Sequence, residues 1–180
     1  MRSDADFAPR ALRGFTLIEL IVVICVVATL MAIALDRLLR YQEFAEKTGM
    51  ELNVAAINTA LGLKFASDVI RGRHAAVGVR PRQNPVHLLA RPPGDYLGVL
   101  DDPDISRLPR RTWYFDRMSA ELVYLPGQTR YLRVGDGANR GIRFRIEYVG
   151  DPPPEDPGAR VLQQPVLRPV HPYRWEIRPD

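Results

Sequence analysis

Cysteine is almost absent from the chain. The single one, Cys25, excludes an intrachain disulfide and any cysteine-based metal site. Histidine is nearly as scarce: His74, His87 and His171 lie far apart with no HxxxH or HxH spacing, so neither a histidine metal pair nor a histidine base is indicated. P-loop, G-x-S-x-G, CxxC and glycine-rich phosphate motifs are all missing, which leaves no motif for catalysis and no expected cofactor. An excess of one charge is also lacking. Lys and Arg number 25 against 21 Asp and Glu, and a net charge of +4 is too small to argue for nucleic-acid binding. There is no internal repeat and no low-complexity tract. With 46% hydrophobic and 26% charged residues, the 180-residue chain reads as one globular domain plus an anchor, not as a disordered protein.

The anchor is the long apolar run from Phe15 to Leu35, whose one charged side chain is Glu19. At about 1.5 Å rise per residue it makes a helix of roughly 31 Å, the thickness of a bilayer's hydrocarbon core. Three origins compete. A cleaved secretory signal has a shorter apolar region followed by a small-residue cleavage site; here the flank is Leu35-Asp36-Arg37-Leu38. A plain single-pass anchor accounts for the length but not for Glu19, because an ionised carboxylate in hydrocarbon costs roughly 2.5–3.5 kcal/mol. The third origin is a segment cut before the apolar run instead of after it. Residues 1–14 are polar, contain Pro9, and carry Arg2, Arg10 and Arg13, which favour the cytoplasmic side. Arg37 and Arg40 follow the run on its other side. Cys25, inside the run, reads as a small membrane-facing or helix-packing residue.

Gly14-Phe15-Thr16-Leu17-Ile18-Glu19-Leu20 resembles the cleavage and methylation signature of type IV pilins and type II secretion pseudopilins. The resemblance implies a cut by a prepilin peptidase between Gly14 and Phe15 and N-methylation of Phe15. It also implies assembly with other pilin or pseudopilin subunits, Glu19 pairing with the Phe15 amine of the next subunit. The physics agrees without the name: the cut creates a charged amine at the end of an apolar helix, and that amine and Glu19 are each costly in hydrocarbon when alone. Pairing of Glu19 with its own Phe15 amine one turn away, or its protonation, remains open beside this. Many pilins carry a helix-kinking Pro at the position Asp36 occupies here, so no kink is expected there.

Residues 36–71 continue as an amphipathic pattern. Leu39, Phe44, Met50, Val54, Ile57, Leu61, Phe65 and Val69 fall mostly at helical spacing, with Glu43, Glu46, Glu51, Asn58, Lys64 and Asp68 among the polar residues between them. One helix over 15–71 is expected, capped by Gly72. Residues 72–111 are broken by Pro81, Pro85, Pro92, Pro93, Pro103 and Pro109 and read as irregular, with a short helix at 85–90 capped by Asn84. From Thr112 the period becomes two. Residues 112–115 and 121–125 predict a hairpin turning through 116–120. Ile142, Phe144, Ile146 and Tyr148 alternate with Arg143, Arg145 and Glu147, an antiparallel strand with one wet face. Residues 173–178 suggest a last strand.

The expected fold is therefore α+β: a long N-terminal helix, its first half transmembrane, packed on a C-terminal antiparallel sheet, as the pilin resemblance also implies. The expected division is a leader (1–14), a membrane or filament-core helix (15–35), its amphipathic continuation (36–71) and a periplasmic domain (72–180), with the chain anchored once in the inner membrane. Asp101, Asp102 and Asp104, and likewise Asp151, Glu155 and Asp156, are acidic clusters in which a solvated loop outweighs a calcium site. Arg133, Arg143 and Arg145 with Tyr131 and Tyr148 are a conceivable nucleic-acid surface, against the simpler reading of a mixed-charge wet face, so no nucleic-acid partner is expected. A single-pass anchored binding domain with an uncleaved anchor is the reading from a different class.

Overall fold

The computed structural model describes residues 15–72, 82–135, 141–150 and 163–177. Helix α1, Leu17–Ile70, is one element of 54 residues, without proline. Gly49 and Gly62 sit inside it without ending it. Gly72 ends it at φ +68°, its N–H donating to the Val69 carbonyl at 3.0 Å, in a left-handed conformation that glycine takes without a Cβ penalty.

The chain divides into two compact units, Met1–Arg40 and Tyr41–Asp180, and the division falls inside α1. In the first unit, described from residue 15, side chains are exposed except for half-buried Asp36 and Arg40, which form an ion pair at 3.2 Å.

The second unit is a helix on a sheet. Strands β1 (Tyr96–Leu100), β2 (Thr112–Asp116), β3 (Glu121–Leu125), β5 (Ile142–Val149) and β6 (Gln164–Pro169) form a five-stranded sheet in the order β1-β2-β3-β5-β6. Strands β4 (Leu132–Val134) and β7 (Tyr173–Trp175) form a separate antiparallel ribbon. Met50, Ile57 and Leu61 of α1 share one core with Trp113, Phe115, Leu122, Phe144 and Leu167 of the inner sheet face and Trp175 of the ribbon. Trp113 stacks against Tyr124 and Phe144, with ring centroids 4.7 and 5.9 Å away. The outer face of β2 and β3 is also dry: Tyr114, Val123 and Leu125 lie under Leu100, Ile105 and Leu108.

The predicted hairpin stands, with Trp113 opposite Tyr124 and Phe115 opposite Leu122. Ile142, Phe144 and Ile146 are buried as their alternation requires. Asn84 caps a 3-10 turn, Pro85–Leu88, by accepting from the Val86 N–H. Two expectations are corrected. The sheet is not wholly antiparallel, because β1 emerges from the stretch read as irregular and runs parallel to β2. Gly98, at φ +103°, interrupts β1 where its register shifts, and this irregularity hid the strand. Glu43, Glu46 and Asp68, placed on the polar side of the helix, are buried, while Leu39 and Phe44 are exposed.

Candidate functional site

The N-terminal stretch is built as a capped helix start. Thr16 precedes α1, and its side-chain oxygen accepts from the Glu19 N–H at 3.3 Å. Its carbonyl accepts from the Leu20 N–H at 3.2 Å. Thr16-x-x-Glu19 is thus the sequence pattern of a helix N-terminus, and sequence reasoning missed it. Glu19 stands in the first turn, where the positive end of the helix dipole favours a carboxylate. Phe15 is 64% exposed, and the large apolar side chains from Leu17 to Leu35 are uncovered. Contiguous apolar surface on this scale marks a lipid or protein contact. The helix is long and apolar enough to cross a membrane. Gly14 lies outside the described residues, so the structure holds Phe15 and Glu19 but not the bond proposed for cleavage.

Two buried carboxylates begin the domain half of α1. Glu46 Oε1 accepts from the Tyr124 hydroxyl at 3.0 Å and from the Gly127 N–H at 2.6 Å, while Oε2 accepts from Arg111 Nε at 3.1 Å. One turn earlier, Glu43 Oε1 accepts from the Tyr131 N–H at 3.0 Å and Trp175 Nε1 at 2.8 Å. These bonds replace the water each carboxylate loses on burial. Burial and, next, the Glu46 charge push the Tyr124 hydroxyl well above its ordinary pKa. Through these donors the two acids hold the loop after β3 and the ribbon against the helix. Asp68 is held likewise by Lys64, one turn before it.

The other sequence candidates are dispersed. Asp101 accepts from Arg117, and this bond lowers its pKa. Asp104 caps the 3-10 turn Ile105–Arg107, and hydrogen bonds from Ser106 lower its pKa. Asp102 adopts φ +44°. Among the described residues no group of three or more His, Cys, Asp or Glu side chains is placed to hold a metal. His87 lies on the Pro85–Leu88 turn, and His171 lies between β6 and β7. His74, Asp151, Glu155 and Asp156 fall outside the described residues. Arg143 donates to Glu121 at 2.9 Å, and Arg145 meets the same carboxylate, so the outer face of β5 is not a bare cationic surface. Arg133 is on the ribbon, not on that sheet.

A long helix, apolar and uncovered in its first half and packed on a sheet in its second, is an α+β, pilin-like layout. Residues 10–35 match the family model for the prokaryotic N-terminal methylation motif, the signature of type IV pilins and pseudopilins. No curated protein and no solved structure matches the chain.

Proposed function

We propose that the chain is a prepilin-like structural subunit of a type II secretion pseudopilus or a type IV pilus. Prepilin peptidase cuts it between Gly14 and Phe15, and Phe15 is then N-methylated. It is held in the inner membrane by one span, with the domain in the periplasm, until it joins other subunits through α1. The observation that carries this reading is the methylation motif at the head of an apolar helix, with Glu19 in its first turn.

The chemistry follows from charge and solvation. The cut exposes a new amine at the apolar end of the helix. That amine and the Glu19 carboxylate are each poorly solvated in hydrocarbon, and each lowers the cost of the other when paired across neighbouring subunits. As helices leave the bilayer side by side, lipid contacts of Leu17–Leu35 become helix contacts, and the apolar surface stays out of water throughout. Mass spectrometry of the native protein tests the reading. A mature chain beginning at methyl-Phe15 supports it. An intact Met1, as an uncleaved anchored binding domain would keep, or a cut near residue 36 overturns it.

A further inference from the structure

Two features of the domain are unfavourable in a lone subunit. The first is a cleft of about 390 Å³ on the outer side of the sheet, lined by Asp102, Asp104, Ser106, Tyr114, Asp116 and Arg143. Tyr114 is fully buried, yet its hydroxyl has no hydrogen-bond partner. Leaving such a group unpaired is destabilising. Asp116 is engaged by the Met118 N–H, the Ser119 hydroxyl and Arg143, and Asp104 by Ser106 and Arg107. Asp102 has no hydrogen bond or ion pair among the described residues. With Arg107 on Asp104 and Arg143 on Asp116, the cleft keeps one unpaired carboxylate, Asp102, and one orphan hydroxyl. A donor-rich cation satisfies both.

The second feature is on the ribbon. Arg133 of β4 and Arg174 of β7 stand directly opposite each other. Like charges in that register destabilise a ladder. Both are exposed, and neither has a partner among the described residues. Tyr131 and Glu176 border the same shallow groove. The ribbon shares the inner-face core through Leu132, Tyr173 and Trp175, whereas Tyr114 belongs to the outer face.

We infer that the Arg133–Arg174 pair of one copy docks on the Asp102–Tyr114 cleft of the next. A guanidinium would donate to the Asp102 carboxylate and the Tyr114 oxygen, and a second copy's acid would separate the opposed arginines. Because the two surfaces differ, the contact is heterologous and repeats from copy to copy, as a filament requires. This rests on the filament reading above.

Cross-linking in cells making the full-length chain tests it. One form carries Cys25→Ser with Asp102→Cys, and the other Cys25→Ser with Arg174→Cys. A short bis-maleimide is expected to join the two forms when they are co-expressed and neither form to itself. Cys25→Ser with Ser106→Cys is a second cleft variant, should Asp102→Cys not fold. Filaments recovered without the mixed cross-link from either cleft variant overturn this contact and leave the subunit assignment standing. A cleft cysteine joined instead to a different protein also overturns it. Absence of both methyl-Phe15 and filaments overturns the assignment and the contact together.

Discussion

Glu43 and Glu46 are the residues on which the domain turns. Replacing Glu46 by Ala strands the buried Tyr124 hydroxyl, at about 1–3 kcal/mol for a group left unpaired, and frees the exposed Gly127 N–H to water. Urea unfolding of E46A is expected to show a loss of about 1–3 kcal/mol. E43Q keeps an acceptor for Trp175 and Tyr131 and is expected to lose less, about 1 kcal/mol. Both acids were legible in principle. Stepping back from Met50 by helical spacing lands on Glu46 and Glu43, and stepping forward from Leu61 lands on Phe65 and Asp68. The spacing marked the buried stripe, but side-chain polarity hid it, because the sequence does not show which distant N–H groups will meet a carboxylate. Asp101 and Asp104 act in the opposite, exposed regime. Their folded pKa values lie below the ordinary 3.8, so the stability they add is present above that value and is lost as pH falls through the depressed values. Thermal unfolding of D101N should show a weaker fall in Tm on acidification below pH 3.8 than the parent shows.

At the scale of elements, α1 carries two glycines with different prospects. A Cβ on Gly49 would meet nothing within 4 Å, and the site is exposed and helical. Gly49→Ala is therefore expected to raise domain stability by about 1 kcal/mol in denaturant titration. Gly62 approaches Gln164 of β6 and is a poorer candidate. In β1 the sign reverses: Gly98→Ala forces a side chain onto φ +103° and should cost about 1–3 kcal/mol. The elements that could be read from the sequence had long or clean periods, namely α1, the β2–β3 hairpin, β5 and, within the alternation of 173–178, β7. The unread ones were β1, β4 and β6. Strand β4 spans three residues, too few for a period to show. Strand β6 holds Pro165 and Pro169, which argue against a central strand and are tolerated because β6 lies at the sheet edge. Pairing of β1 with β2 and of β6 with β5 is long-range information that local alternation does not hold.

For the whole molecule, the apolar half of α1 sets the behaviour. Glu19→Ala removes the acid while leaving Phe15 and the Thr16 cap in place. Peptidase processing is expected to continue, and entry into filaments to fail, as read by N-terminal mass spectrometry beside sheared-filament recovery. Normal filament yield from processed E19A would remove assembly from the role of Glu19. The domain holds no cysteine, the chain's one being Cys25 in the apolar segment, so reducing agents should leave its unfolding curve unchanged.

The two outer strands of the five-stranded sheet are β1 and β6, and on the margin of β6 Asn58 of α1 already takes the Leu167 N–H and carbonyl. Gly98 breaks the first, and Pro165 and Pro169 deprive the second of two amide donors. Exposed strand margins invite backbone pairing between molecules, which ends in amyloid-like growth when copies are crowded. In the filament proposed above, domains concentrated along a shared axis would face that hazard continuously. Interrupted margins would leave side chains, not backbone edges, to mediate recognition between copies in that filament.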